Sequence, residues 1–320
     1  MKNFELYPLF LEPTVKNYVW GGKKFKNFLK ENNDSDKPIA EIWAIYEDNK
    51  ILNGSLVGRT LKEVVNLHGE LILGKNAQTN SNRFPLLIKL LDSQQWLSIQ
   101  VHPKDHQAIK LEGPAFYGKT EGWYVISAES GAQLIAGVKP DVSLEEITQA
   151  IQSGLVTSFL QYHSIKEDDF IFIPAGTIHA LGPGAVIYEI QQNSDVTYRV
   201  YDWDRPLLAG RQLHIEKSIA VTDLNHEIRL QHVKNGMSQN IFDCEYFSLD
   251  LYESNGHSLD FNPNGESFHA ITVIEGNANL SSDTEQLPIH QFESILVPAN
   301  YKTFQLSGEF KVLIGKLNKL

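Results

Sequence analysis

Cysteine is nearly absent: Cys244 stands alone among 320 residues. No internal disulfide can form, and a reducing compartment is the natural setting. A single cysteine of this kind reads as a small buried hydrophobe rather than a nucleophile. Long apolar runs are missing too, and no stretch approaches the ~20 residues of a membrane span. The opening residues MKNFELYPLF carry a glutamate and a proline where a secretory signal needs an unbroken apolar run, so a cytoplasmic protein is expected. Positive charge is the third shortage. With 28 Lys and Arg against 39 Asp and Glu the net charge is -11, which repels nucleic-acid backbones and anionic lipid. Neither nucleic acid nor membrane is an expected partner, and any phosphate must be met by a local basic pocket. Otherwise the composition is ordinary, 42% hydrophobic and 21% charged, as in a folded globular chain long enough for two domains.

Turn signals break residues 1–57 into short strand-like pieces around a polar loop, ENNDSDKP. A helix is expected over 60–73, capped by Thr60, with Leu61, Val64, Val65 and Leu67 on one stripe. FPLLIKLLD, 84–92, reads as a buried strand whose one charge is Lys89. A short helix is expected in KDHQAIKLEG, a strand pair in GWYVISAESGAQLIAGV, and a helix over 143–154 with a Ser cap and a terminal glycine. From Ser158 onwards nearly everything reads as strand, at intervals of about ten residues, which points to a β-sandwich or barrel. RQLHIEKSIAVTDL bridges to a second run of strands. The expected division is residues 1–225, carrying the chemistry, and 226–320, a β-unit without it.

An internal repeat sharpens that division. ESILVPANYKT, 293–303, aligns without gaps to DFIFIPAGTIH, 169–179, so Thr303 stands where His179 stands. The turn does not need a histidine, which argues that His179 is functional and that the second unit binds no metal. Gln100 and His102, two apart in LSIQVHP, share one face of a strand. Glu121 follows in GKTEGWY, two residues after Lys119. Two imidazoles, a carboxylate and an amide oxygen are a plausible ligand set for one divalent metal. For the other nine histidines, His269 among them, a solvated surface position is expected. Within residues 187–206, Glu189 and Arg199 read as facing side chains of a polar hairpin. Arg205 adds a guanidinium suited to phosphate, and Lys89, Lys119 and Ser98 could complete a basic pocket.

FPLLIKLLD, LSIQVHP, GKTEGWY, DFIFIPAGTIHAL and EIQQNSDVTYRVYDWDR, in this order, resemble the type I phosphomannose isomerases, in the short bacterial form of the cupin superfamily. YVWGG and AEIW extend the resemblance over roughly the first 220 residues. It implies a mainly β fold of two cupin-like β-barrel or jelly-roll units with a few short helices. It further implies an aldose-ketose isomerase that interconverts mannose 6-phosphate and fructose 6-phosphate with one Zn²⁺ per chain. By motif the zinc ligands fall on Gln100, His102, Glu121 and His179, the active-site arginine on Arg199, and the other catalytic groups on Lys119 and Glu189. Phosphate contacts fall on Ser98, Arg205 and Lys89, while Trp20 and Glu41 match residues bordering the pocket. The family often has proline or a bulkier residue where this chain has Thr120 and Gly122. An iron-dependent cupin and a non-catalytic sugar-phosphate sensor are the rival readings; the polar cluster of Glu189, Arg199 and Arg205 speaks against the first, and the presence of Lys119, Glu189 and Arg199 against the second.

Overall fold

The computed structural model describes residues 5–28, 37–77, 83–205, 211–226 and 228–318. Most of the expected loop at 31–38 lies outside these, as does Pro206. Three short strands open the chain, β1 (Leu9–Phe10), β2 (Thr14–Lys16) and β3 (Glu41–Ile45), followed by helix α1 (Leu61–Leu73). At the start of α1 the Thr60 hydroxyl accepts from the Glu63 amide and the Glu63 carboxylate accepts from the Thr60 amide, a reciprocal cap. Leu61, Val64 and Val65 are buried, whereas Leu67 is 61% exposed. At about 100° per residue Leu67 falls roughly 120° from the stripe of the other three, so it faces outward. Leu67→Gln is therefore expected to shift stability by less than about 0.5 kcal/mol in urea unfolding. A loss of several times that would mean that Leu67 is covered.

The chain folds into two compact units that interleave in sequence. One comprises Met1–Val15, Ile42–Lys89 and Lys234–Leu320; the other comprises Lys16–Glu41 and Leu90–Val233. The sequential cut expected at 225/226 thus falls near one boundary but misses the return of the N-terminal segments to the later unit. The physical reason is strand pairing: β1 adds to that unit's sheet, with Leu9 opposite Leu296.

In the unit containing Leu90–Val233, the chain runs on through β4 (Leu86–Ser93), β5 (Ile99–Val101), α2 (Asp105–Glu112), β6 (Glu121–Ala128), β7 (Gln133–Val138) and α3 (Leu144–Ser153). Then come β8 (Leu160–Ser164), β9 (Asp169–Ile173), β10 (His179–Leu181), β11 (Ala185–Gln192), β12 (Tyr198–Tyr201), α4 (Ile215–Val221) and β13 (Leu230–His232). These strands form two sheets that do not close into a barrel. One has the order β12-β5-β10-β7-β8, and the other runs β13-β9-β6-β11. The expected strand pair β6/β7 is split, because β6 bonds to β9 and β11 while β7 bonds to β10 and β8. The hairpin expected within 187–206 is split in the same way, since β12 bonds to β5. In both places the chain crosses from one layer of a sandwich to the other.

Alternation along each strand divides its side chains between faces. Trp123, Ile171, Ile173 and Ile187 of one sheet meet Leu134, Ala136 and Leu181 of the other in a common core that also takes Trp20. The outer face of the five-stranded sheet, with Ile99, Val101, Ala180, Tyr198 and Val200, is covered by Ile147 and Ile151 of α3 and Val221 of α4. Gln100, His179 and Arg199 alternate with these outward residues and so point between the sheets.

The other unit holds β14 (Gln239–Asp243), β15 (Ser248–Asn255), β16 (Leu259–Phe261), β17 (His269–Ser281), β18 (Gln286–His290), β19 (Ser294–Val297), β20 (Phe304–Ser307) and β21 (Glu309–Lys316). It repeats the plan: β19 and β20 follow one another around a Pro-Ala turn as β9 and β10 do. Its core joins Ile271 and Val273 to Phe304, Leu306, Val312 and Ile314. Among the described residues no helix is long and apolar enough to cross a membrane.

Candidate metal centre

Strand register brings the expected residues together. On three neighbouring strands His179 of β10 lies opposite Gln100 of β5, and Gln100 lies opposite Arg199 of β12. From the facing sheet comes Glu121, the first residue of β6, with Glu189 on the adjoining β11 opposite Trp123. His102, Glu121 and His179 are all buried, and one ligand atom from each lies within 4.8 Å of the others. His179 Nε2 is 3.1 Å from Glu121 Oε1, and His102 Nε2 is 3.5 Å from Glu121 Oε2.

The second nitrogen of each ring fixes what the first can do. His102 Nδ1 is 2.9 Å from the Val196 carbonyl and His179 Nδ1 is 2.9 Å from the Thr177 carbonyl. A carbonyl only accepts, so each Nδ1 carries the proton, and in the neutral ring Nε2 presents a lone pair. Two lone pairs and a carboxylate thus converge in a buried space. Such a set of acceptors fits a divalent cation, and backbone carbonyls orienting the outer nitrogens are the usual support for histidine ligands. Gln100 lies beside them, its Nε2 3.3 Å from His179 Nε2, while Ser98 Oγ donates to Gln100 Oε1 at 3.4 Å. Ligation by Gln100 requires its amide oxygen, and the nitrogen is the end turned to His179 here.

Lys119 lies against this set. Its ammonium is 2.7 Å from Glu121 Oε2, 3.1 Å from His102 Nε2 and 3.4 Å from Glu189 Oε1. Burial works to lower the Lys119 pKa, but Glu121 and Glu189 outweigh it and hold the amine protonated. Burial and the Lys119 charge push His102 well below the ordinary histidine range, which keeps its ring neutral and able to ligate. Burial likewise acts to raise Glu121, yet Lys119 and the two histidines hold it well below the usual carboxylate range.

Arg199 is half-buried, with Nε lacking a partner and its backbone amide donating to His214 Nδ1 at 3.2 Å. Burial and the nearby Arg211 lower its pKa. Arg205 is held internally: it contacts Asp202 Oδ1 at 3.0 Å and donates to the Trp96 carbonyl at 2.7 Å, with Nη1 buried and unpartnered. Arg211 grips the same carboxylate, 2.7 Å from Oδ2 and 3.1 Å from Oδ1. Arg211 and Asp202 escaped sequence reasoning, which read 211–224 only as a connector; the signal was a second arginine six residues after the first. Trp20 is 2% exposed and belongs to the core between the sheets. Glu41, at the start of β3, acts electrostatically on Lys119, Tyr18 and Arg199. Lys89 is buried on β4 within the other unit, its ammonium 5.2 Å from the centre of the Trp43 ring. His269, expected at the surface, is instead half-buried and lies beside Phe261 and Phe304, because it shares a strand face with the core residues Ile271 and Val273.

A buried histidine-carboxylate cluster that could hold a metal ion, set between the two sheets of a β-sandwich, fits a protein of the cupin kind. Residues 9–121 match the family described as phosphomannose isomerase type I, catalytic domain, and residues 237–315 match the mannose-6-phosphate isomerase cupin domain. Mannose-6-phosphate isomerase ManA of Bacillus subtilis is 33% identical, over 97% of this chain and 99% of its own. The mannose-6-phosphate isomerase of Streptococcus mutans is also 33% identical, over 98% of this chain and 99% of its own. The crystal structure of mannose 6-phosphate isomerase from Bacillus subtilis superposes with a TM-score of 0.85 at 32% identity, covering 96% of this chain and 99% of that one. The chain belongs to the type I phosphomannose isomerase family, and its activity is the interconversion of mannose 6-phosphate and fructose 6-phosphate.

Proposed function

We propose that the isomerase works with one Zn²⁺ per chain held by Gln100, His102, Glu121 and His179, in the cytoplasm. The observation that carries this reading is the convergence of two histidine Nε2 atoms, their Nδ1 atoms turned to backbone carbonyls, and a buried carboxylate within 4.8 Å of one another. Imidazole and carboxylate donors suit zinc, which would supply Lewis-acid stabilisation of the negative charge that develops on oxygen as the carbonyl moves between C1 and C2. Lys119 and Glu189, 3.4 Å apart, are the pair assigned to moving the proton between the two carbons. Arg199 points between the sheets on the strand beside Gln100, where its guanidinium can stabilise the same developing charge.

Ser98, Arg205 and, by resemblance, Lys89 are assigned to the substrate phosphate. Arg211 joins them because it shares the Asp202 carboxylate with Arg205, which leaves two guanidiniums against one carboxylate inside an acidic protein. Trp20 and Glu41 are assigned to the border of the pocket, Glu41 through its field on Lys119 and Arg199. The test is a coupled assay for fructose 6-phosphate with and without a chelator. Activity should vanish on chelation and return fully with Zn²⁺; full activity in the metal-stripped protein, or restoration by Fe²⁺ but not Zn²⁺, would overturn the assignment.

A further inference from the structure

The second unit repeats the strand plan of the catalytic one with different side chains at the equivalent places. His269 opens β17 and pairs with Val297, as Glu121 opens β6 and pairs with Ile173. The gapless match of 293–303 to 169–179 makes Val297 equivalent to Ile173, so His269 stands where Glu121 stands. Gly315 pairs with Ala270 as Ile190 pairs with Gly122, which sets Lys316 in the place of Gln191. Phe261 pairs with Phe304, the counterpart of Ala180, so the next residue, Asn262, takes the place of Gln100.

These three residues line one cavity of about 680 Å³, together with Asp250, Tyr252 and Asn240. The size falls within the range of small-molecule sites, roughly 300–1,000 Å³. The second unit has thus kept an opening at the position of the catalytic centre. Among the described residues it has no metal-ligating group; the only such set is His102, Glu121 and His179. His269 Nδ1 is buried within the second unit without a hydrogen-bond partner.

We propose that this cavity is a second small-molecule site, built on the plan of the catalytic one, and that it takes an uncharged, polyhydroxylated ligand of monosaccharide size. The polar groups are held in fixed directions: Asn240 Nδ2 donates to Asp250 Oδ1 at 2.9 Å, and the Lys316 ammonium lies 2.5 Å from Asp250 Oδ2. Planar amide and carboxylate groups fixed in this way suit adjacent hydroxyls, and the Tyr252 ring, packed on Phe261 at 4.8 Å, offers an apolar wall. Charge excludes the catalytic substrate. Asp243, Asp250 and Glu266 outnumber Lys316 around the cavity, and burial together with Lys316 pushes His269 down to about 4, so it adds no positive charge at neutral pH. A dianionic sugar phosphate would be repelled. The proposal is independent of how the isomerase reaction proceeds.

The test is saturation-transfer NMR on the full chain with D-mannose, D-fructose and D-mannitol, each repeated under excess mannose 6-phosphate to fill the catalytic site. At least one probe should show transfer that survives the sugar phosphate. His269→Phe, which fills the cavity between aromatic neighbours, should weaken that binding at least about tenfold while isomerase turnover is kept. Tyr252→Phe, which retains the ring and loses only the hydroxyl, should weaken it by a few-fold and serves if the first variant does not fold. No transfer from any probe, transfer abolished by mannose 6-phosphate, or unchanged binding in a folded His269→Phe would overturn the proposal.

Discussion

Arg199→Ala is expected to keep the zinc proposed for this site and to lose turnover by about 10²–10³-fold, the usual effect of removing one preorganised donor from a developing oxyanion. The expectation follows from position. Arg199 sits on β12 directly across from Gln100, one strand further from the metal set than the proposed ligands. Its Nε is buried without a hydrogen-bond partner, whereas Arg205 and Arg211 both contact Asp202. Removing it should leave His102, Glu121 and His179 in place, and circular dichroism and bound zinc should match the unsubstituted protein. The loss should appear in kcat rather than KM if the contact forms mainly in the transition state. Turnover at the normal rate would remove Arg199 from the mechanism.

His179→Ala is expected to lose both metal and activity. Zinc affinity should fall at least ~100-fold, since even the groups that merely orient a ligand contribute about 10–100-fold. The histidine is held by strand pairing to Gln100 and Ala136 and by its Nδ1 proton on the Thr177 carbonyl. No neighbouring side chain can replace its Nε2, because Lys119 offers only an ammonium and Gln100 an amide. Equilibrium dialysis against buffered Zn²⁺ measures the change. Retention of tight zinc binding would show that the metal is held by other groups.

Much of this centre was legible in the sequence, for a physical reason. Period-two alternation put Gln100 and His102 on one face, and the contrast between His179 and Thr303 singled out the histidine that the structure brings beside His102 and Glu121. Both inferences rest on local geometry. What escaped depended on which strands meet. The β6/β7 and β11/β12 connections look like hairpins because each joins two strand patterns through a short polar link, yet each crosses between layers, and no local pattern records that choice. His269 was misplaced for a similar reason: burial at a strand's first residue depends on the partner strands, here β19 and β21. Arg205 read as a phosphate-binding guanidinium in sequence, whereas in the structure Asp202 pairs with both Arg205 and Arg211, the latter nine residues further on. The division into units followed the same rule, since β1 finds its partner nearly 300 residues later.

The central claim is that one metal lies between the sheets of the unit carrying His179 and none lies in the repeated unit. Anomalous diffraction at the zinc edge, on crystals of the zinc-loaded protein, measures this directly. One peak is predicted, bounded by Gln100, His102, Glu121 and His179, with no peak near Thr303 or His269. A principal peak elsewhere, or a second of equal height in the repeated unit, would contradict the account.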